Sequence, residues 1–201
     1  QPGKVTAWLV GSGIDAKKYS DITTWLRHRW FKLTTLQSVP TVLDAGALYL
    51  AGSLEQPTLI TPHSGELSKL LIARGVNVSA EAIEGNPKKW VQEAADTLGV
   101  TVLLKGATTY VANDSVLIEL PTATPWLATA GTGDVLAGII GALVATNTVE
   151  ILNDHNNLAF VAATGAFIHG RAADAASNGG PINAEAVIGA VPRVISQIIK
   201  R

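Results

Sequence analysis

The residues best suited to take part in a chemical reaction lie in Thr129–Ala145, where two glycines precede an apolar helix pattern. Paired glycines let the backbone turn so that its N–H groups point outward, and the helix N-terminus adds partial positive charge. We predict that Gly131, Thr132 and Gly133 form an anion hole. Asp134 follows in the first helical turn, where it could take a proton from a substrate hydroxyl.

The same segment also has a simpler interpretation. An Asp in the first turn of any helix is favoured by the helix macrodipole, and Gly-rich turns are common. Further along, Gly138 and Gly141 are predicted to allow close packing of the helix on a sheet. A catalytic role for Asp134 therefore depends on which other residues the fold brings to it.

A second candidate segment is Lys105-Gly106-Ala107-Thr108-Thr109, which follows a buried strand pattern. A Lys and two Thr at a strand end can hold the phosphates and ribose of a nucleotide. Taken alone, the segment is better interpreted as the entry to an ordinary hairpin with a surface Lys.

Two histidines deserve different interpretations. His63 follows a strand, where packing does not readily explain it, so we predict that it binds or polarises a substrate. Glu66 could orient a hydrated metal ion, or it could be the third residue of a helix capping box. His169 lies in an apolar helix pattern and is predicted to be a hydrogen-bonded core residue.

Gly11 and Gly13 follow the first predicted strand and allow a close approach of backbone to a ligand. They do not complete a dinucleotide fingerprint, because Ala16 stands where the third glycine would be.

The elements that must position these residues alternate between short β-rich runs and longer helical patterns. Such alternation predicts an α/β protein with a mostly parallel sheet covered by helices. Strands are predicted at Thr6–Val10, Thr41–Asp44, Thr58–Thr61 and Thr101–Lys105, with a hairpin at Tyr110–Ala112 and Ser115–Ile118. Helices are predicted at Asp15–Leu33, Asp44–Leu50, Gly65–Arg74, Pro87–Leu98, from Gly131 onward, at Leu158–Ser177 and at Asn183–Ile199, with a kink or restart at Pro192. Ligands of open α/β sheets bind at the carboxyl ends of strands, so the polar residues there should converge on one edge.

Composition narrows the functional classes. The absence of Cys excludes disulfides and thiolate chemistry, and the formal net charge of −1 without a basic stripe argues against nucleic acid as the main partner. Val135–Ala145 is too short and Gly-rich to span a membrane, and Gln1–Thr6 lacks a secretory pattern, so we expect a cytoplasmic protein. With 47% hydrophobic and only 15% charged residues, burial against copies of itself is expected.

In order along the chain, these motifs resemble the ADP-dependent NAD(P)H-hydrate dehydratases, carbohydrate-kinase-like repair enzymes of the ribokinase-like fold. The matching segments are Val10–Gly13, Leu43–Leu48, Leu59–Glu66, Leu103–Thr109 and Thr129–Gly138. The resemblance covers nearly the whole chain and implies a three-layer α/β sandwich. In such enzymes ADP phosphorylates the ring hydroxyl of the S-form of hydrated NADH or NADPH. Phosphate then leaves, which gives NAD(P)H, AMP and phosphate.

The resemblance also implies a role for each motif. Asp134 matches the base that activates the hydroxyl, and Gly131–Gly133 match the anion hole. The substrate-binding positions are Gly11, Gly13, His63 and Asp134. The nucleotide-binding positions are Lys105, Gly106, Ala107, Thr108, Thr109 and Gly133. Mg²⁺ is the implied cofactor, with Glu66 as an indirect ligand, and the form of the Lys-Gly and Gly-Thr-Gly-Asp motifs resembles the bacterial ADP-using branch.

The implied partners are hydrated NADH or NADPH, ADP, further copies of the chain in a tetramer or larger homo-oligomer, and a functionally linked NAD(P)H-hydrate epimerase. Ser12 and Ser64 depart from the family, which usually has Pro there. Nothing matches the family's long N-terminal stretch, and the chain begins at Gln1 without any Met. We therefore expect residues 1–201 to form a single dehydratase domain that lacks this stretch. Two alternatives stay open: a kinase for a vitamin-type alcohol, and a non-catalytic nucleotide-binding module.

Overall fold

A six-stranded sheet forms the centre of the protein. The structure, a computed structural model, describes residues 5–11, 22–34 and 36–200, apart from the side chains of Arg27 and Thr34. The strands follow one another across the sheet in chain order: β1 (Trp8–Val10), β2 (Thr41–Leu43), β3 (Thr58–Ile60), β4 (Thr101–Leu104), β5 (Tyr110–Ala112) and β6 (Leu117–Glu119). The first four strands are parallel, while β5 and β6 add antiparallel pairs. The predicted mostly parallel sheet with a terminal hairpin is confirmed. Gly13 lies outside the described residues.

The described residues also form eight α-helices: α1 (Ile22–Thr34), α2 (Ser64–Ala73), α3 (Ala80–Gly85), α4 (Pro87–Leu98), α5 (Thr132–Thr146), α6 (Thr148–Asn153), α7 (Asn156–Ser177) and α8 (Ala184–Ile199). Short 3-10 helices occupy Ala45–Leu50 and Pro125–Leu127. The predicted helices match within a few residues where they are described. Each of α3 and α6 has only six residues, too few for a periodic pattern, and neither was predicted.

Of the kink or restart predicted at Pro192, the restart does not occur, because α8 runs through this residue. Packing explains the difference. The buried side chains of Val187 and Val194 lie on either side of the proline and anchor α8 in one apolar cluster with residues of α7. None of the described helices is long and apolar enough to cross a membrane.

Alternate strand residues pack into two apolar cores, one on each face of the sheet. The core shared with α2, α3 and α4 contains the strand residues Leu43, Ile60, Val102 and Leu104. The core shared with α5 and α7 contains the strand residues Val42, Leu59, Leu103 and Val111. Helix α8 packs outside α5 and α7. The predicted three-layer α/β sandwich is confirmed.

This topology determines where a site can form. Right-handed crossovers between successive parallel strands place their helices on one face. After the β5–β6 hairpin the chain crosses to the other face, which α5 and α7 cover. The carboxyl ends of β1 to β4 therefore share one edge, where Gly11, Asp44, Thr61 and Lys105 directly follow their strands.

Candidate active site

A buried ion pair lies at the carboxyl ends of β2, β3 and β4. The Nζ of Lys105 donates a hydrogen bond to Oδ1 of Asp44 at 3.0 Å, and Oγ1 of Thr61 donates to the same oxygen at 2.7 Å. The side chain of Asp44 is only 7% exposed, whereas that of Lys105 is 24% exposed. The predicted convergence of strand ends is confirmed for these three residues.

Asp44 is a candidate site residue to which the sequence analysis assigned no role. The signal was present, because an acidic residue directly follows an apolar strand at the edge where α/β sheets bind ligands. Its partner could not be read from spacing, since Lys105 is 61 residues away in the chain. A carboxylate is almost never buried without a partner, so Lys105 and Thr61 account for its burial.

His63 is the N-cap of α2. Its Nδ1 accepts hydrogen bonds from the N–H groups of Gly65 at 3.1 Å and Glu66 at 3.4 Å, while Oε2 of Glu66 accepts from the His63 N–H at 2.9 Å. The capping-box interpretation of Glu66 is confirmed, and capping also explains why a His stands at this strand end. Because Nδ1 is an acceptor, the neutral ring carries its proton on Nε2, which lies 3.5 Å from Glu66 Oε2 on an exposed side chain.

Glu66 joins this cap to the ion pair. Its Oε2 lies 3.9 Å from the Nζ of Lys105, so the ammonium group stands between two carboxylates, with the Asp44 carboxylate at 3.0 Å. The backbone connects the same segments, because the Lys105 N–H donates to the carbonyl of Pro62 at 2.8 Å. The described residues contain no group of three His, Asp or Glu side chains that could hold a metal ion by themselves.

The N-terminus of α5 is shaped by Gly131 and Thr132. Gly131 has φ +85°, in the left-handed region that favours glycine. The buried Thr132 hydroxyl lies 2.8 Å from the carbonyl oxygens of both Leu127 and Thr129. It has one hydrogen, which it can donate to either carbonyl, and it thereby holds the preceding loop in place. The side chain of Thr132 thus has a structural role within the predicted anion hole.

Two backbone N–H groups at the start of α5 are available to donate hydrogen bonds to a ligand. The N–H of Thr132 lies 3.5 Å from the carbonyl of Thr129, and that of Val135 bonds to Gly131 at 3.2 Å. Within the described part of the chain, the N–H groups of Gly133 and Asp134 have no carbonyl partner. Such N–H groups, together with the helix dipole, attract an anion.

Lys105 lies beside these N–H groups. A Cβ atom added to Gly133 would be 3.9 Å from the Nζ of Lys105. The exposed Asp134 makes no ion pair or side-chain hydrogen bond with the described residues. The site therefore places the Lys105 ammonium group beside the N-terminus of α5, which also carries the unpaired carboxylate of Asp134. Such an arrangement suits transfer of an anionic group to a hydroxyl.

The predicted nucleotide segment is an open turn. Gly106 and Ala107 are exposed, and Thr108 and Thr109 are half-buried. The hydroxyls of Thr108 and Thr122 lie 3.0 Å apart, and the carbonyl of Thr109 accepts from the Leu120 N–H at 3.0 Å as the hairpin begins. The hairpin-entry interpretation is thus correct for the turn but wrong for its surface Lys, because Lys105 is only 24% exposed and pairs with Asp44.

Gly11 is buried against Asp44. A Cβ atom there would lie 2.4 Å from the carbonyl oxygen of Asp44, so only glycine fits without displacing backbone. In α5 the packing prediction is confirmed for Gly141, whose added Cβ would lie 3.1 Å from Leu9. It is wrong for Gly138, where such an atom would meet nothing within 4 Å, because this residue faces outward.

Replacing Gly11 with Ala is expected to destabilise the protein by about 1–3 kcal/mol, because the new methyl group overpacks against backbone. The matched change Gly138→Ala is expected to stabilise it by about 0.5–1 kcal/mol, since an open helical position favours Ala over Gly. Urea unfolding of both variants measures these differences. Equal stability of the Gly11→Ala variant and the parent would contradict the packing seen at Asp44.

His169 lies in α7 next to the start of α5. The side chain is buried, and burial lowers its pKa from 6.5 to about 4 against the opposing effect of a hydrogen bond with the backbone of Thr132. Its Nε2 has no hydrogen-bond partner among the described residues. The prediction of a core histidine is correct for its burial and wrong for its full hydrogen bonding.

This histidine makes the stability of the protein depend on pH. Its folded pKa of about 4 lies below the ordinary value of 6.5, so in this range the unfolded chain binds more protons. Stability is therefore full above pH 6.5 and falls as the pH drops towards 4. We expect a loss of about 2 kcal/mol between pH 7 and pH 5 from this group. Urea unfolding at both pH values should show that His169→Leu removes this part of the loss, and an unchanged pH dependence would contradict the assignment.

Comparison with known proteins agrees with this fold. The chain has the ribokinase-like α/β fold: it aligns over 98% of its length with 68% of an ADP/ATP-dependent NAD(P)H-hydrate dehydratase structure from Bacillus subtilis, at a TM-score of 0.78 and 23% identity. The chain belongs to the NAD(P)H-hydrate dehydratase family, whose sequence profile matches residues 2–200.

Two relatives are more similar in sequence. A bifunctional NAD(P)H-hydrate repair enzyme of Mycobacterium tuberculosis is 37% identical over 153 residues, which cover 72% of this chain and 29% of that protein. An ADP-dependent (S)-NAD(P)H-hydrate dehydratase of Neisseria meningitidis is 32% identical over 180 residues, which cover 85% of this chain and 55% of that protein. The chain thus spans about a third of the bifunctional relative and about half of the other.

Proposed function

We propose that the protein is an ADP-dependent dehydratase for the S-form of hydrated NADH or NADPH. The terminal phosphoryl group of ADP passes to the hydroxyl on the hydrated ring, and AMP leaves. The ring carbon–oxygen bond then breaks with loss of phosphate, which regenerates the reduced cofactor. The observation that carries this proposal is the Lys105 ammonium beside the open helix N-terminus that also bears Asp134.

Asp134 is the proposed general base. Its exposed carboxylate has no other partner among the described residues, so its lone pairs are available to a substrate hydroxyl. Removing the proton as the oxygen attacks phosphorus makes that oxygen a better nucleophile. A positioned base of this kind contributes about 10²- to 10⁴-fold to a rate.

The transferring phosphoryl group would lie at the start of α5. The N–H groups of Gly133 and Asp134 and the positive end of the helix face the charge that develops on its oxygens. Lys105 adds a full positive charge at the same place. Asp44, which also accepts a hydrogen bond from Thr61, holds that ammonium group in position from the buried side, so little reorganisation is required when the phosphoryl group arrives.

The two co-substrates approach from different sides in this proposal. The open turn formed by Lys105, Gly106, Ala107, Thr108 and Thr109 holds the ADP phosphates and ribose. Gly11, Gly13 and the exposed His63 ring contact the hydrated nicotinamide nucleotide. The burial of Gly11 against Asp44 supports this division, because it brings the residue that directly follows β1 next to the ion pair.

The residues present fit Mg²⁺ as an ion carried mainly by the nucleotide. Mg²⁺ keeps several waters and binds through one or two carboxylates plus substrate phosphates. The site supplies one such carboxylate in Glu66, whose Oε2 lies 3.9 Å from the Nζ of Lys105. Glu66 would hold the ion indirectly, through water. The bound ion would supply neutralisation of phosphate charge.

We also propose cytoplasmic action beside an NAD(P)H-hydrate epimerase, in a homo-oligomer of four or more copies. The bifunctional name of the Mycobacterium tuberculosis relative supports the epimerase link. Exposed Phe160 and Phe167 on α7 support the oligomer, because they place large apolar side chains on the outer helical surface.

Analysis of the phosphorus-containing products distinguishes this function from a kinase of the same fold. With ADP and the hydrated cofactor, we expect AMP and inorganic phosphate in equal amounts by phosphorus NMR, with no lasting phosphate ester. Accumulation of a stable phosphorylated alcohol would indicate the kinase. Binding of ADP without any product would indicate a non-catalytic nucleotide-binding module.

A further inference from the structure

Trp126 is an exposed aromatic residue with no role in the chemistry described above. It lies in the 3-10 helix Pro125–Leu127, and 44% of its surface is exposed. Single exposed hydrophobic residues are common on protein surfaces, but hydrogen bonds hold both the backbone and the side chain of this one. Its indole Nε1 donates to the carbonyl of Gly179 at 3.3 Å, and its backbone N–H donates to Oγ1 of Thr124 at 3.4 Å.

Trp126 adjoins the start of α5. The carbonyl of the next residue, Leu127, lies 2.8 Å from the hydroxyl of Thr132, the first residue of α5. Consecutive Cα atoms are about 3.8 Å apart, so the backbone of Trp126 is one residue away from the carbonyl that Thr132 contacts at the proposed anion hole. It is thus close to where the phosphates of a nucleotide would lie.

Trp126 is also connected to the proposed nucleotide turn. The hydroxyl of Thr108 lies 3.0 Å from that of Thr122, four residues before the tryptophan. The segment from Thr122 to Leu127 therefore runs from the nucleotide turn to the anion hole. A nucleotide that occupies both would lie along this segment.

Hydrogen bonds to α7 and to the loop after α7 hold the segment from Thr122 to Leu127 in place. The Thr124 N–H donates to Oδ1 of Asp174 at 2.8 Å, and the Thr124 hydroxyl donates to Oγ of Ser177 at 3.5 Å. Because its support is fixed, the indole loses little conformational freedom when a ligand covers it, which favours binding.

We propose that the indole face of Trp126 stacks against the base of the nucleotide whose phosphates lie at Lys105 and the start of α5. This inference rests on the proposed function. The ring N–H is already satisfied by Gly179, so the surface that remains for a ligand is the apolar π-face. Every nucleobase has such a face, so the contact strengthens nucleotide binding without selecting strongly among bases.

The test compares ADP with inorganic pyrophosphate, which shares its phosphates but has no base. Loss of one base–aromatic stack corresponds to roughly a 5- to 150-fold loss of affinity. We expect Trp126→Ala to weaken ADP binding by such a factor in calorimetry and to leave pyrophosphate binding unchanged. Trp126→Phe should retain most of the ADP affinity, because it keeps an aromatic face while losing the indole N–H.

Trp30→Ala is the matched control, since Trp30 is 60% exposed on α1. It should leave ADP affinity unchanged, and thermal unfolding shows whether each variant is folded. The proposal is overturned if Trp126→Ala binds ADP like the parent, if ADP and pyrophosphate weaken equally, or if the Phe and Ala variants lose the same affinity. The last two results would show that the indole stabilises the local structure and does not stack on the base. A parent that binds no ADP overturns both proposals, whereas one that binds ADP with this base contact but dehydrates no hydrate overturns only the proposed function.

Discussion

Asp134→Asn is expected to lower kcat for hydrate dehydration by about 10²- to 10⁴-fold while ADP binding is retained. Asn has nearly the same shape as Asp but cannot take the proton of the substrate hydroxyl. The residue is exposed and makes no ion pair with the described residues, so the fold should not change. Removal of a negative charge next to the proposed phosphate site should keep ADP affinity equal or make it slightly tighter. Steady-state kinetics and calorimetry measure the two effects separately.

Asp114→Asn provides the control for this experiment. Asp114 is also an exposed aspartate, but it lies in the β5–β6 hairpin, where its Oδ1 accepts a hydrogen bond from Ser115. Its replacement should leave both turnover and ADP binding unchanged. Undiminished turnover in Asp134→Asn would show that another group is the base. Loss of ADP binding together with turnover would assign Asp134 to nucleotide binding instead.

Lys105→Met is expected to weaken ADP binding strongly and to destabilise the protein. The ADP effect follows from loss of the positive charge beside the start of α5. The stability effect follows because Asp44 stays buried at 7% side-chain exposure and, among the described residues, its carboxylate keeps only Thr61 as a partner. Breaking a fully buried pair costs about 3–5 kcal/mol, and the partial exposure of Lys105 reduces the expected loss to about 1–3 kcal/mol. Calorimetry with ADP and urea unfolding measure the two effects.

A double variant separates these two effects of Lys105. Lys105→Met with Asp44→Asn removes both charges, so stability should largely return while ADP affinity stays low. Lys88→Met is the surface control, because its 2.7 Å pair with Glu119 is exposed and such pairs contribute about 0–1 kcal/mol. If the double variant regained ADP affinity as well, Lys105 would support nucleotide binding only by stabilising the local fold and not by direct contact with the nucleotide.

Sequence reasoning identified the edge of the sheet where the candidate site lies. Buried strands ended by Gly, Asp, Pro or Lys-Gly indicate both the strands and their carboxyl ends, and chain order then places these ends together. This accounts for the correct positions of Gly11, His63 and Lys105. The paired glycines likewise indicated the N-terminus of α5.

The contacts between segments could not be predicted in the same way. The Asp44–Lys105 pair joins residues 61 positions apart, and only the sheet order brings them together. The cap formed by His63 was missed because Ser, Thr, Asp and Asn are the usual N-caps, although Glu66 at the third position signalled a capping box. The outward direction of Gly138 depends on the rotation of α5 against the sheet, which periodicity fixes only roughly.

The most direct test of the proposed function is recovery of near-ultraviolet absorbance from the S-form of hydrated NADH. The parent protein is incubated with Mg²⁺ and either ADP, ATP or no nucleotide. We predict recovery of NADH with ADP, slower recovery with ATP, and none without nucleotide or with Asp134→Asn, together with one AMP and one phosphate for each NADH formed from ADP. No recovery with ADP, or recovery that does not depend on nucleotide, would contradict phosphoryl transfer at the start of α5.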